Sequence, residues 1–496
     1  MGPPAPRALL LLLATAAVAL AAPQEPDVFR EVYVWKHVDF AWAHDSDKAR
    51  ALDARLFQPE NCALQALRVW RDRLFVTLPR WRPGVPVTLA TLSTSAPQPA
   101  PLLQPFPSWE MQTLRNCSAL QSAQAIDVTR EGRLWVVDGG ARAHAGRRPP
   151  PAPGPALCPP KILVFDLDPS NASAARLWKV IPLPEHVVSE DSAFADMAVD
   201  AEDVAFVSDA SPTQPGVVVV EARSGRVWKA RDERSMRGDA GAPAPPAGLA
   251  SGVTALALGP SPGGGERDRT LYYAPLRSQQ VFSVGAATLR DERTATSGAL
   301  GQHVVPLGNA SSFSQAMAAD ARGGLYLGLN GIHAIARFDA ARRLQVLAVD
   351  TERLQWPSSF ALDAAAGTLW VVSNRLQNFL TRAVSVDEPN YRVMKALVEG
   401  DGAGAAGPPV PTPEPQPEPE PAPEPGPSAS TPRSTTYNVI DIHKPRAQDE
   451  YAAYNYSTLH DAGHAHPPGA SAATRRAASA AAAAIGVVLA VRTFVL

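Results

Sequence analysis

Four polar residues recur at one place in a repeated pattern. Asp138, Asp209, Asn330 and Asn374 each stand just past a short apolar strand that carries an aromatic. If those strands are equivalent, the four side chains converge on one opening, and two carboxylates with two amides suit a cationic amine. Phe313, Trp356 and Phe379 supply π-faces for its ring or its charge. Asp and Asn also cap turns through their side-chain oxygens, so a purely structural role stands beside the ligand role at this level.

No catalytic motif completes the set. G-x-S-x-G, HExxH and P-loop spacings are absent, so no catalytic residue is nominated and no cofactor is expected. His37, His44, His144, His186, His303 and His333 are scattered. His460, His464 and His466 lie close together, but on a Gly/Ala/Pro-rich stretch that reads as solvated linker, so no metal site is expected. No CxxC or Cys/His spacing suggests zinc. With 46 basic and 48 acidic side chains and a net charge of −2, the chain has no electrostatic footprint for nucleic acid. The basic residues Arg142, Arg147 and Arg148 sit in a Pro/Gly/Ala-rich stretch and read as a loop.

The elements that must position the polar set repeat six times. Leu74-Phe75-Val76, Leu134-Trp135-Val136-Val137, Ala205-Phe206-Val207, Leu271-Tyr272-Tyr273, Leu325-Tyr326-Leu327 and Leu369-Trp370-Val371-Val372 are apolar strands 44 to 71 residues apart. Most follow a charged or glycine turn, such as Arg130-Glu131-Gly132-Arg133 or Arg322-Gly323-Gly324. Before each turn lies another strand with period-2 alternation, such as Ala125-Ile126-Asp127-Val128, and after most comes a third apolar strand. A lone meander cannot bury both faces, and radial stacking protects the edges that an open sheet exposes. The pattern predicts an all-β, six-bladed β-propeller over residues 28–400, with Val28 to Trp35 completing the last blade.

Several segments closely resemble the yellow / major royal jelly protein family of arthropods. They include Arg68-Val-Trp-Arg-Asp-Arg-Leu-Phe-Val-Thr-Leu-Pro-Arg-Trp81, Pro105-Phe-Pro-Ser-Trp109, Gly132-Arg-Leu-Trp-Val-Val-Asp138, Leu157-Cys-Pro-Pro-Lys161, Val164-Phe-Asp-Leu167 and Ser373-Asn-Arg-Leu-Gln377. The resemblance covers roughly residues 28–395, in the family's order. It implies a secreted six-bladed propeller linked to cuticle pigmentation and melanin formation. Some members convert dopachrome, and blood-feeding relatives bind biogenic amines. It supports Asn374 directly, since that residue lies within a matching motif. Two functions follow as expectations: binding of a small aromatic amine or catechol in the central channel, or isomerisation of dopachrome. The second needs only a positioned base and help for developing charge, which leaves no motif.

The ends of the chain speak to compartment. Arg7, the apolar run Ala8 to Leu20 and the small-x-small site Ala19-Leu20-Ala21 read as a signal peptide over residues 1–21. Asn-x-Ser sequons at Asn116, Asn171, Asn309 and Asn455 then become glycosylation candidates. Of three cysteines, Cys117 and Cys158 are expected to pair, each lying beside a strand across a Pro/Gly-rich loop, with Cys62 a free buried thiol. Residues 401–476 form a Pro-rich and low-complexity stalk that cannot bury a core. Small residues at Gly469-Ala470-Ser471 precede the apolar tail 477–496, the layout of a GPI-attachment signal; Arg492 inside it fits that reading poorly and leaves a retained helix as the alternative. The expectation is an extracellular protein tethered to the cell surface.

Overall fold

The computed structural model describes residues 28–140, 158–171, 174–239, 251–261 and 263–398. The signal peptide, the Arg142–Arg148 stretch with His144, the stalk with its histidines, Asn455 and the C-terminal tail lie outside the described residues.

Six four-stranded antiparallel meanders follow one another and close into a ring, the six-bladed propeller that the repeats predict. From the innermost strand outward, blade 1 is Leu67–Trp70, Arg73–Thr77, Leu89–Ser93 and Gln104–Pro105. Blade 2 is Ala123–Val128, Arg133–Asp138, Lys161–Leu167 and Ala175–Pro182. Blade 3 is Phe194–Val199, Val204–Asp209, Gly216–Glu221 and Arg226–Ala230. Blade 4 is Val253–Leu258, Thr270–Pro275, Gln280–Gly285 and Val305–Asn309. Blade 5 is Ser314–Ala319, Leu325–Leu329, Ala334–Phe338 and Leu344–Val349. Blade 6 is Trp356–Asp363, Thr368–Asn374, Tyr391–Leu397 and, from the other end of the chain, Arg30–Trp35.

That last pairing closes the ring. Trp35 lies opposite Tyr391, and Tyr33 and Trp35 are buried, with Trp35 Nε1 donating to the Pro101 carbonyl in blade 1 at 3.0 Å. The edge of Tyr391–Leu397 is thereby paired, as a closed ring requires.

Burial explains the strand compositions. Every residue of Val204–Asp209 is buried, because middle strands are covered by neighbouring blades on both faces and therefore read as continuous apolar runs. In the core, Trp135, Val137 and Val164 of blade 2 meet Ala205, Val207 and Val218 of blade 3. The turn into the second strand uses the left-handed region in five blades, at Arg71, Gly132, Asp203, Gly323 and Gly367. At Gly132 a side chain is doubly excluded: φ is 91°, and a Cβ would stand 2.5 Å from the Trp70 ring.

Innermost strands share one irregularity. In blades 2 to 6 the pairing register shifts near their start, around Gln124, Asp196, Thr254, Gln315 and Ser358. All five side chains are polar and buried. A bulge bends the strand and re-aims its side chain, which suits a position beside the axis of the ring.

Cys117 and Cys158 are joined, and Cys62 is free and buried, as expected. Burial pushes the Cys62 thiol far above its ordinary range, so it is a protonated core residue rather than a nucleophile. Asn116, Asn171 and Asn309 are all exposed.

Candidate functional site

The end of the ring where the innermost strands begin is fastened by the residues that end the second strands. Asp138 accepts from the Gln121, Ser122 and Gly140 amides and from Lys161 Nζ at 2.9 Å. Asp209 accepts from the Ala193 and Ser211 amides, from Ser192 Oγ and from Lys229 Nζ at 2.7 Å. Asn330 and Asn374 perform the same task without charge. Asn330 accepts from the Gln315 amide and donates to the Pro357 carbonyl of blade 6. Asn374 accepts from the Leu376 amide and donates to the Leu64 carbonyl of blade 1. Thr77 plays this part in blade 1, accepting from Ala66 N and donating to the Gln124 carbonyl of blade 2.

This changes the expectation for the four polar residues. They do share one end of the ring, but Asp138 and Asp209 are completely buried and each is already neutralised by a lysine. They present no free charge to an amine. Both amide side chains are engaged as well, so these residues hold the mouth in shape.

The aromatic half of the expectation gathers in one place. Trp356 and Phe379 are buried together with Ala63 and Leu376, and Trp81 and Phe313 pack against them, partly exposed. Ring centroids are 5.7 Å apart for Phe313 and Trp356, and 5.8 Å for Trp81 and Phe379. The wall is built by blades 5, 6 and 1: Phe313 leads into blade 5, Trp356 begins blade 6, and Phe379 lies on the helix Leu376–Leu380 beyond Asn374. One face of Phe379 is already covered by the Arg82 guanidinium, 4.0 Å from the ring centroid. Trp81 and Phe313 are therefore the rings with surface to offer.

Below the mouth, Arg68 lies across the centre of the ring. It starts from blade 1, bonds Asp127 of blade 2 through Nε at 2.9 Å, and bonds Asp196 of blade 3 through Nη2 at 2.8 Å. Its remaining hydrogens go to the main-chain carbonyls of Leu67, Met197 and Phe360 and to Ser359 Oγ. Blades 3 and 6 face each other across the ring, so a side chain bonded to both must span the axis. The carboxylates continue the stitching: Asp127 accepts from the Val199 amide of blade 3, and Asp196 from the Leu256 amide of blade 4. These are the free edges of innermost strands, whose donors and acceptors need partners.

Electrostatics at this waist are unusual. Burial outweighs the pull of Arg68 and pushes the Asp196 carboxyl up to about 6. Asp127 is raised for the same reason, while the two carboxylates overcome burial and hold Arg68 above the ordinary arginine range. The three side chains keep 11%, 19% and 12% of their surface, for Arg68, Asp127 and Asp196 respectively. The waist is therefore nearly covered.

The sequence reading missed this trio. Arg68 stood at the head of a family-like segment and Asp127 inside a recognised alternating strand, with Asp196 in the matching strand of blade 3. The available signal was a charged residue inside an innermost strand, the strand that lies beside the axis of a closed ring.

The fold and these two layers define a closed propeller with an aromatic mouth above a charged waist. The chain belongs to the major royal jelly protein family, which matches residues 121–404. It is similar to protein yellow of Drosophila subobscura, 28% identical over 415 residues that cover 78% of this chain and 69% of the relative. It is also similar to dopaminechrome tautomerase of Drosophila melanogaster, 26% identical over 394 residues, or 74% and 81% of the two chains. Among solved structures, a luciferin-regenerating enzyme aligns with 77% of this chain and 97% of its own at a TM-score of 0.43 and 11% identity.

Proposed function

We propose that this is an extracellular, surface-tethered protein of a pigmentation or biogenic-amine pathway that binds a small aromatic amine or catechol at the channel mouth. The observation that carries the reading is the aromatic cluster of Trp81, Phe313, Trp356 and Phe379, with Trp81 and Phe313 partly exposed, at the end of the ring where the innermost strands begin. Flat rings bind such walls by offset or edge contact, and a few placed polar groups fix their orientation. The names of the relatives, protein yellow and dopaminechrome tautomerase, support the pathway. Titration calorimetry of the purified protein with dopamine and serotonin tests it. Binding of both that weakens in Phe313→Ala supports the reading, and binding of neither removes it.

A second reading, isomerisation of an aminochrome, is favoured by Asp196. A carboxyl pushed up to about 6 is mostly ionised at neutral pH yet a better base than an ordinary aspartate. Following the visible absorbance of dopaminechrome with and without protein decides it. Decay no faster than with heat-killed protein eliminates the enzyme.

A further inference from the structure

We infer that the mouth of the ring is a docking surface for the acidic, proline-rich segment 408–427 of the same chain, which packs on Trp81 and its apolar neighbours with its glutamates facing Arg82 and Arg382. This goes beyond the binding reading above and does not depend on which small molecule the mouth takes.

The surface is built by two loops. Arg82 follows the second strand of blade 1, and Arg382 follows the second strand of blade 6 and its short helix. The Arg82 guanidinium lies over the Phe379 ring and donates to the Phe379 carbonyl. Burial first, and then the charge of Arg382, push Arg82 below the ordinary arginine range, so the two cations are neighbours. Among the described residues neither forms an ion pair, whereas Arg375 in the same blade 6 loop is paired with Glu388. Around them the surface is apolar: Trp81, Leu380 and Val384 are only partly buried, and Val386 is 38% exposed. Two adjacent cations without acids, set among aromatic and aliphatic side chains, fit an anionic partner with an apolar backbone.

The chain carries such a partner. From Pro411 to Pro427 every second residue is proline, with Glu414, Glu418, Glu420 and Glu424 between them. No lysine or arginine occurs from 396 to 432. Proline-rich sequences dock on aromatic-lined surfaces because their restricted backbone has little entropy left to lose.

Topology brings the two together. The third strand of blade 6 begins at the mouth, with Tyr391 opposite Asn374, and ends at the far side, with Leu397 opposite Thr368. The chain leaves from there, and the Arg382 loop stands at the other end of the same blade. The return path is one strand of seven residues, roughly 23 Å at about 3.3 Å per residue. The 16 residues after Val398 lead to Glu414, and a chain of that length spans up to roughly 55 Å. A short tether of this kind holds its end at about millimolar effective concentration, so a modest contact is enough to keep the segment in place.

The probe is a fluorescein-labelled peptide of residues 408–427, read by fluorescence anisotropy against two forms of the full chain. One is unmutated; the other carries Glu414→Gln, Glu418→Gln, Glu420→Gln and Glu424→Gln. Occupied by its own segment, the unmutated chain should bind the peptide about tenfold more weakly than the substituted one. Raising the salt from about 0.05 to about 0.5 M should weaken the peptide's binding to the substituted chain, since exposed charges are screened. Adding Arg82→Gln and Arg382→Gln to that chain should weaken it about tenfold. Adding Arg293→Gln, at an exposed arginine on the far side of blade 4, should leave it unchanged. Equal binding by the two forms, no binding by the substituted chain, or binding insensitive to Arg82→Gln and Arg382→Gln would each overturn the inference. A dimer of the unmutated chain on gel filtration that the four substitutions dissolve would put the segment on a second copy and overturn it too. The comparison of the two forms leaves the propeller unaltered, so it holds whether or not the arginine variants fold. Dopamine titrated into the substituted chain reports on the small-molecule reading separately.

Discussion

Replacing Asp196 by asparagine should stabilise the protein at neutral pH, although it deletes half of a buried ion pair. The sign follows from its titration. A carboxyl raised from 3.8 to about 6 binds its proton more tightly folded than unfolded. Its favourable contribution is complete below the unfolded value and is lost as pH rises through about 6, where the waist must hold a second charge. That difference in proton affinity, roughly a hundredfold, is worth about 3 kcal/mol. Asparagine keeps an acceptor for Arg68 and never ionises, so it should recover much of that amount at pH 7.5 and little at pH 4. Urea unfolding with the disulfide intact, run at both pH values on both proteins, measures the difference. A loss above about 1 kcal/mol at pH 7.5, of the size expected for a broken charged hydrogen bond, would refute the reasoning. So would a pH dependence identical in the two proteins.

The opposite sign is expected at Asp209→Asn, which leaves the Lys229 ammonium buried without its counter-charge. Breaking such a pair from one side costs about 3–5 kcal/mol, visible as a lower urea midpoint, with dopamine affinity unchanged in whatever protein remains folded. Phe313→Ala and Trp81→Ala should behave in the reverse manner: small losses of stability, and a loss of about 0.5–2 kcal/mol in amine affinity if each ring offers a π-face. Calorimetry beside thermal melting separates the two effects, and unchanged affinity in both would place the ring elsewhere. Deleting residues 28–36 removes the strand that completes blade 6 and exposes the edge of Tyr391–Leu397. The truncated protein should aggregate or elute as a mixture on gel filtration, and a monomer with the parent melting temperature would show that ring closure is dispensable.

How much of this was legible in the sequence depends on what each residue answers to. Blade count and closure were readable because they follow from the recurrence of Phe75, Trp135, Phe206, Tyr272, Tyr326 and Trp370, and from an unpaired strand at the front of the chain. The pairing of Cys117 with Cys158 was readable for a similar reason, both flanking strands of one blade. The place of Asp138 and Asp209 was readable, but their role was not. Each aspartate is neutralised by a lysine brought in by strand pairing, Lys161 directly opposite Asp138 and Lys229 from the strand beyond. No spacing rule marks such a lysine as a partner. Arg68, Asp127 and Asp196 were harder still, since they come from three blades and meet only once the ring has closed. A six-fold repeat draws attention to equivalent positions, and these three are not equivalent.

That asymmetry bears on function. The free edges around the axis need donors and acceptors, and Arg68 supplies donors to three carbonyls by itself. One carboxylate would balance its charge. The amide of Leu256 that Asp196 satisfies could be met by a neutral oxygen, as the Gln315 amide is met by Asn330. A second buried acid therefore adds a desolvation cost that the fold does not require, and well-packed neutral groups commonly match or exceed buried ion pairs in stability. Asn330 and Asn374 fasten their blades with neutral side chains, and the acids that do the same task, Asp138 and Asp209, are each matched by a lysine, whereas the second acid of the waist has none. An ionisable group kept where a neutral one would serve the fold better is most simply explained by something that uses its charge.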